Sequence, residues 1–201
     1  MQESRYSLKN LRKHSESVRL KSLLLQKEQQ EFIEKAFADF SENLAEIEQQ
    51  PPTLERNVKL ILACKLFNHI YSGFILAERG LIVNAVLCER NAIETIAFHW
   101  LVSLDENALY EYEKGNIPRP IEVRRRLEKL GVDIKNIRSI YASGSEISHV
   151  GRKSERFHSR WESSSEGKLL FGGGFTPDDQ AEMFRFLPAL LYLFHQPLIV
   201  A

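Results

Sequence analysis

A guanidinium and a carboxylate lie one helical turn apart in the most apolar stretch of the chain. This stretch, residues 81–104, carries Arg90 and Glu94 among mainly apolar side chains. Four apolar residues continue the same helical stripe: Val83, Leu87, Ala97 and Leu101. The spacing predicts that the stripe faces the core. Because an unpaired buried charge is costly, Arg90 and Glu94 are expected to satisfy each other or another polar group.

Two further residues that could do chemistry, Ser148 and His149, end a later helical pattern. The small residues 142–145, with the sequence ASGS, precede them and would let this helix approach the central one closely. A neighbouring carboxylate would favour the protonated form of His149 near neutral pH. We therefore expect Arg90, Glu94, Ser148 and His149 to form one candidate catalytic group.

Two questions about this catalytic group stay open at the sequence level. Arg90 and Glu94 could be a buried ion pair that only fixes the register of two helices. His69, in the apolar pattern before the central helix, could point toward the same group. A lone histidine among apolar residues is, however, more often a core residue with a satisfied hydrogen bond.

The charge of the chain is balanced overall but segregated locally. There are 27 basic and 27 acidic residues in 201. Residues 119–160 contain eleven Lys or Arg and five Asp or Glu, whereas residues 28–48 contain seven acids and one Lys. This segregation could steer an anionic partner to one face, or it could draw two copies of the chain together.

The basic region predicts a surface for the phosphate backbone of a nucleic acid. Aromatic residues such as Phe157 and Trp161 could stack on bases beside it. The candidate binding residues are Arg124, Arg125, Arg126, Arg152, Arg156, His158 and Arg160. The alternative is that the basic loop is simply solvated.

No cofactor, metal site or membrane segment is predicted. Cys64 and Cys88 each lie in an apolar helical pattern without a ligand-like neighbour, and we interpret both as core residues in a reducing compartment. The first thirty residues lack the apolar run of a secretory signal, so a cytoplasmic location is expected. The apolar C-terminal stretch is interrupted by Pro188 and Pro197, which favours a buried helix over a membrane anchor.

Capping signals and apolar periodicity predict an all-α fold. We expect a single-domain bundle of about six or seven helices, with residues 54–201 as the bundle and residues 1–50 as an N-terminal helical extension. Residues 151–174 lack helical periodicity and are predicted to be an irregular loop with a short hairpin. Residues 54–78 and 81–104 should form a helical hairpin, because only a short turn separates them.

The extension carries a regular apolar stripe at Ile33, Phe37, Phe40, Leu44 and Ile47. Such a stripe is typical of one helix packing along another. It favours a homodimer, or a contact with another protein through the N-terminal helix. The alternative is that the helix folds back on its own bundle.

Four segments in order resemble a bacterial family of all-helical proteins within or near the HEPN-like superfamily. They are CERNAIETIAFHWLVSLD, EYEKGNI, IYASGSEISHVG and FGGGFTPDD, and the similarity covers about residues 54–195. In that family an R-x-x-x-E pair lies on the central helix and a Ser/His pair ends the following one. The resemblance assigns these positions to Arg90, Glu94, Ser148 and His149. It also implies dimers in which two active regions face each other.

The resemblance suggests two kinds of function. Some relatives belong to phage-defence or toxin-antitoxin systems, and HEPN ribonucleases use an R-x4-6-H motif, which Arg152 and His158 match once. Metal-independent RNA cleavage needs a base for the 2′-hydroxyl and a cation for the developing charge, and Arg with His supplies both. We therefore expect an endoribonuclease or RNA-binding protein. The alternative is a non-catalytic module that recognises a nucleotide or a protein partner.

Overall fold

The computed structural model describes residues 7–148, 159–161, 167–169 and 177–195, in which helices joined by short connections are accompanied by one short hairpin. The all-α class is confirmed. The helices are α1 (Leu8–Leu25), α2 (Lys27–Glu48), α3 (Leu54–Glu78), α4 (Ile82–Leu104), α5 (Glu106–Glu113), α6 (Pro120–Lys129), α7 (Lys135–Ser148) and α8 (Pro177–His195). The expected count of about six or seven is not confirmed, because the described ranges contain eight.

The hairpin lies where the sequence predicted one. Strand β1 (Ser159–Trp161) pairs antiparallel with β2 (Gly167–Leu169), and Arg160 is opposite Lys168. The rest of the predicted irregular loop is largely outside the described residues.

The N-terminal helical run divides at Gln26, which the sequence did not predict. The backbone of Gln26 has φ −119° and ψ 32°, outside the α-helical region. Its side-chain Nε2 donates a hydrogen bond to the carbonyl of Pro177, at the start of α8, over 3.1 Å. The break therefore coincides with a contact to a residue distant in sequence, which local periodicity cannot reveal.

Helix α4 lies at the centre of the bundle. Every residue from Ala92 to Val102 is buried except Glu94. Helix α3 packs along α4 as the predicted hairpin, and α5, α6, α7 and α8 contact α4 from other sides. At Gly73 of α3, an added Cβ would lie 3.1 Å from Leu187 Cδ2 and 3.2 Å from Cys88 Cβ. Glycine at this position therefore lets α3, α4 and α8 meet at close range.

The apolar stripe of helix α2 packs against the other helices of its own chain. Ile33 and Phe40 are buried in the same core cluster as α3, α4 and α8, and Phe37 and Leu44 pack against that cluster. Phe40 contacts Phe194 of α8 edge to face, with ring centroids 5.7 Å apart. Self-association through this helix would therefore need a different surface.

One described helix, α3, is long and apolar enough by composition to cross a membrane, with a mean hydropathy of 1.5 over its most apolar window. The core helix of a globular protein passes the same test, so a single such helix is weak evidence for a span.

Gln180 joins α8 to the end of α3 and gives a test of the fold. This residue is fully buried, and its Nε2 donates to the carbonyls of Ala77 (2.9 Å) and Glu78 (3.2 Å). Gln180→Leu removes both hydrogen bonds, so we expect the free energy of unfolding to fall by about 1–2 kcal/mol in urea titrations. The exposed Gln50→Leu should change it by less than about 0.5 kcal/mol. Equal urea midpoints for Gln180→Leu and the unmodified protein would contradict this role.

Candidate functional site

A cleft of about 570 Å³ opens where Glu94 interrupts the buried surface of α4. We call it the α4 cleft. Its polar lining residues are Lys65, His69, Asn91, Glu94, Thr95 and Arg124. Its apolar lining residues include Ile93, Phe98, Tyr112, Ile117, Val123 and Ile137. The cleft therefore has a mainly apolar wall from α4, α5, α6 and α7, with charged groups contributed by α3, α4 and α6.

Arg90 and Glu94 form the expected ion pair, but at the edge of the core. Arg90 Nε lies 3.4 Å from Glu94 Oε1, and the two side chains are 27% and 26% exposed. Leu87, on the same stripe, is 40% exposed. The prediction that the whole stripe faces the core is therefore wrong at Leu87, whereas Val83, one turn earlier, packs against the core cluster. Ala97 and Leu101, in the C-terminal half, are buried as predicted.

Tyr141 of α7 receives two guanidinium groups. Arg90 Nη2 donates a short hydrogen bond to the Tyr141 hydroxyl, and Arg90 Cζ lies 4.6 Å from the ring centroid. Arg124 Cζ of α6 lies 4.3 Å from the same centroid. A cation close to an aromatic ring is attracted by its quadrupole, so these contacts hold both guanidinium groups in place. We call Arg90, Arg124 and Tyr141 the arginine–tyrosine cluster.

Gly144 lies where α7 meets α4 beside Arg90. Gly144 is buried, and a Cβ added to it would lie 3.5 Å from Val86 Cγ1 and 3.9 Å from Arg90 Cβ. This confirms that the ASGS segment brings α7 close to the central helix. Tyr141, about one turn earlier on α7, thereby reaches the Arg90 guanidinium.

A second, more polar cleft of about 330 Å³ adjoins the cluster. We call it the basic cleft; it is lined by Ile121, Arg124, Arg125, Arg138 and Tyr141. Arg138 Nη2 lies 2.7 Å from Glu128 Oε2. Within the described ranges, Arg124 and Arg125 have no carboxylate oxygen within 4.0 Å. Arg124 lines both clefts, so its side chain separates them.

Arg126 differs from its two neighbours, although the sequence grouped all three as nucleic-acid-binding residues. Its guanidinium nitrogens lie 2.5 Å from Asp105 Oδ2 and 2.6 Å from Glu111 Oε2. Burial raises the pKa of Asp105, but the Arg126 hydrogen bond and charge outweigh burial and hold that pKa below its ordinary value. Arg126 therefore ties α6 to α5 and contributes little free charge to a binding surface.

Several predicted site residues fall where the structure gives no side-chain geometry. Ser148 is the last residue of α7 and Arg160 is in β1, and only their backbone is described. The remaining predicted residues outside the described ranges are His149, Arg152, Arg156 and His158. The structure thus brings Arg90, Glu94 and Arg124 together, with Arg125 beside them, and leaves the predicted contact with His149 untested.

His69 lines the same cleft as Glu94. Burial, followed by the charge of Lys65, lowers the pKa of His69, and the Glu94 carboxylate opposes that shift only in part. The imidazole is therefore mainly neutral at neutral pH and can accept a proton. The sequence signal for His69 was its place on the face of α3 that packs against α4, which made it a candidate for the site.

Glu89 is the carboxylate that the sequence did not single out. It is 8% exposed, and burial, followed by the charge of Glu182 on α8, raises its pKa from 4.5 to about 7. Glu89 does not line the α4 cleft. The more buried of the two α4 carboxylates near Arg90 is therefore outside the candidate site.

The described residues contain no group of three or more His, Cys, Asp or Glu that could hold a metal ion. Both cysteines are free thiols, and Cys88 is half-buried, with a pKa raised by burial. The prediction that both lie in the core is wrong for Cys64, which is exposed because it lies on the outer side of α3.

The raised pKa of Glu89 predicts a stability that depends on pH. The folded protein holds this proton more tightly than the unfolded chain, so the contribution of Glu89 is most favourable below pH 4.5 and is lost as pH rises toward 7. Glu89→Gln keeps a neutral side chain, and it should raise the free energy of unfolding at pH 8 by about 2 kcal/mol relative to the unmodified protein.

Denaturant titrations at pH 5 and pH 8 measure this difference. The free energies of unfolding of Glu89→Gln and of the unmodified protein should differ little at pH 5 and strongly at pH 8. The exposed Glu113→Gln should give no such trend. A destabilised Glu89→Gln at pH 8 would show that the ionised carboxylate has a stabilising partner.

Comparison with known proteins gives the site no further support, because no family model, no curated protein and no solved structure matches the chain.

Proposed function

We propose that this protein binds RNA through the basic face formed by α6 and the start of α7, as a HEPN-like helical protein. The observation that carries the proposal is the basic cleft, where Arg124 and Arg125 have no carboxylate partner among the described residues. Residues 119–138 contain seven Lys or Arg and three Asp or Glu. This excess of positive charge suits a polyanion.

The form of the basic cleft suits a phosphate group. A guanidinium donates two parallel hydrogen bonds to phosphate oxygens, which an ammonium cannot do with the same geometry. Arg124 already stacks near the Tyr141 ring, so less side-chain freedom is lost when it binds. The Tyr141 ring already contacts the guanidinium groups of Arg90 and Arg124, so its part in this proposal is to hold Arg124 in place for the phosphate.

The proposal predicts a salt-dependent loss of RNA affinity in the double variant Arg124→Ala/Arg125→Ala. With a labelled single-stranded RNA in fluorescence anisotropy, we expect Kd to rise about tenfold or more at low salt. The slope of log affinity against log salt should fall by about 1.4, or about 0.7 for each lost phosphate contact on a single strand.

A double variant with the same loss of charge provides the control. Lys27→Ala/Lys35→Ala removes two exposed lysines from α2, and it should leave both affinity and slope nearly unchanged. An equal loss of affinity in the two double variants would show that RNA binding depends only on the net charge of the protein and not on Arg124 and Arg125. No measurable RNA binding by the unmodified protein would reject the proposal.

A second candidate, metal-independent RNA cleavage, is favoured by the neutral state of His69 in the α4 cleft. Activation of a 2′-hydroxyl needs a base that is unprotonated at working pH, and a nearby cation to stabilise the phosphorane-like charge. His69 supplies the first, and Arg124 lines the same cleft as a cation. In this proposal Glu94 and Arg90 orient the polar groups of the cleft through their ion pair.

The cleavage candidate predicts a pH profile and a specific variant effect. Because His69 acts as a base only when deprotonated, the rate should rise with pH through a pKa below 6.5 and level off near neutrality. His69→Ala should lower the rate about 100-fold or more, whereas the exposed His14→Ala should not. RNA that is bound but uncut by the unmodified protein would exclude cleavage and leave the binding proposal intact.

A further inference from the structure

We propose that the α4 cleft binds a small amphipathic anion, an aromatic or aliphatic body that carries one carboxylate, and that this ligand opposes RNA binding at the basic cleft. The first part, ligand binding, is argued only from the volume, lining and charges of the α4 cleft. The second part rests on the RNA-binding function proposed above.

The volume and lining of the α4 cleft fit the apolar body of such a ligand. Its volume of about 570 Å³ is in the range of about 300–1,000 Å³ that small-molecule sites occupy. Phe98 and Tyr112 provide aromatic surface, with ring centroids 5.6 Å apart, and Ile93 and Val123 provide aliphatic surface. An apolar body that enters the cleft removes this surface from water, which favours binding.

The charges around the α4 cleft favour an anion over a cation. Among the described residues that line it, Glu94 is the one carboxylate, and Arg90 pairs with it at 3.4 Å. Lys65 and Arg124 also line the cleft, and among the described residues neither has a carboxylate within 4.0 Å. A ligand carboxylate would thus meet two available cations, whereas a ligand cation would compete with Arg90 for Glu94.

Arg124 gives the cleft its influence on the RNA-binding face. Arg124 lines both the α4 cleft and the basic cleft, and its guanidinium lies near the ring of Tyr141. A carboxylate bound in the α4 cleft would pair with Arg124 and reduce the positive charge that this residue offers to RNA in the basic cleft. RNA affinity should fall as a result, and by linkage RNA should weaken ligand binding by the same factor.

Isothermal titration of the full chain with 2-naphthoate tests the first part, and 2-naphthamide serves as the uncharged analogue. We expect 2-naphthoate to bind with one-to-one stoichiometry, and 2-naphthamide to bind at least about tenfold more weakly. Ile117→Glu, at an exposed position of the cleft wall, should weaken 2-naphthoate about tenfold or more by adding a negative charge and removing apolar surface. The matched Ile61→Glu, exposed on α3 outside the lining of both clefts, should have little effect.

Three results of this titration would overturn the site. They are no binding of 2-naphthoate to the unmodified protein, equal binding of the acid and the amide, and equal loss in the two Glu variants. Thermal unfolding curves of both variants establish that each is folded before it is titrated.

RNA anisotropy with and without saturating 2-naphthoate tests the coupling. We expect the Kd for RNA to rise several-fold in the presence of the ligand, and to be unchanged by it in Ile117→Glu. If 2-naphthoate binds but does not change the RNA affinity, the coupling is overturned and the ligand site stands. If the ligand binds and RNA does not, the proposed RNA function fails and the site stands.

Discussion

The burial of α4 is the constraint on which the rest of the structure depends. From Ala92 to Val102 this helix is covered on every side, and Glu94 is the one residue that is not buried. An ionised carboxylate in a dry core would lose several kcal/mol of hydration, so the helices around α4 leave an opening at Glu94. The α4 cleft is that opening. Arg90, one turn earlier, lies at its edge and partly neutralises the carboxylate.

Close helix packing sets the position of the other polar groups. Gly73 allows α3, α4 and α8 to meet, and α7 contacts α4 beside Arg90 at Gly144. A larger residue at Gly73 would contact Leu187 at about 3.1 Å and separate these helices. With α7 held this close, Tyr141 reaches the Arg90 guanidinium. The site is thus positioned by closely packed helices, which hold side chains more accurately than loops do.

Local sequence signals predicted the helices well, because caps and periodicity are local. Asp105 caps α5 and Pro120 begins α6, in agreement with the capping signals of the sequence. Contacts between distant segments were not predictable in this way. Gln26 bonds to a carbonyl 151 residues away, and Tyr141 meets Arg90 across 51 residues. The sequence also could not tell which α4 carboxylate is more buried, since Glu89 and Glu94 share one helix and differ only in the neighbours that tertiary packing provides.

The three consecutive arginines show why a count of charges overestimates a binding surface. Successive residues of a helix point about 100° apart, so Arg124, Arg125 and Arg126 must meet three different environments. Arg124 turns toward Tyr141 and the two clefts, Arg125 is exposed, and Arg126 turns toward the carboxylates of α5. Only the first two can exchange water for a phosphate without first breaking an ion pair. The charge available to an anionic partner is therefore set by helix geometry, and it is smaller than the sequence composition of this region suggests.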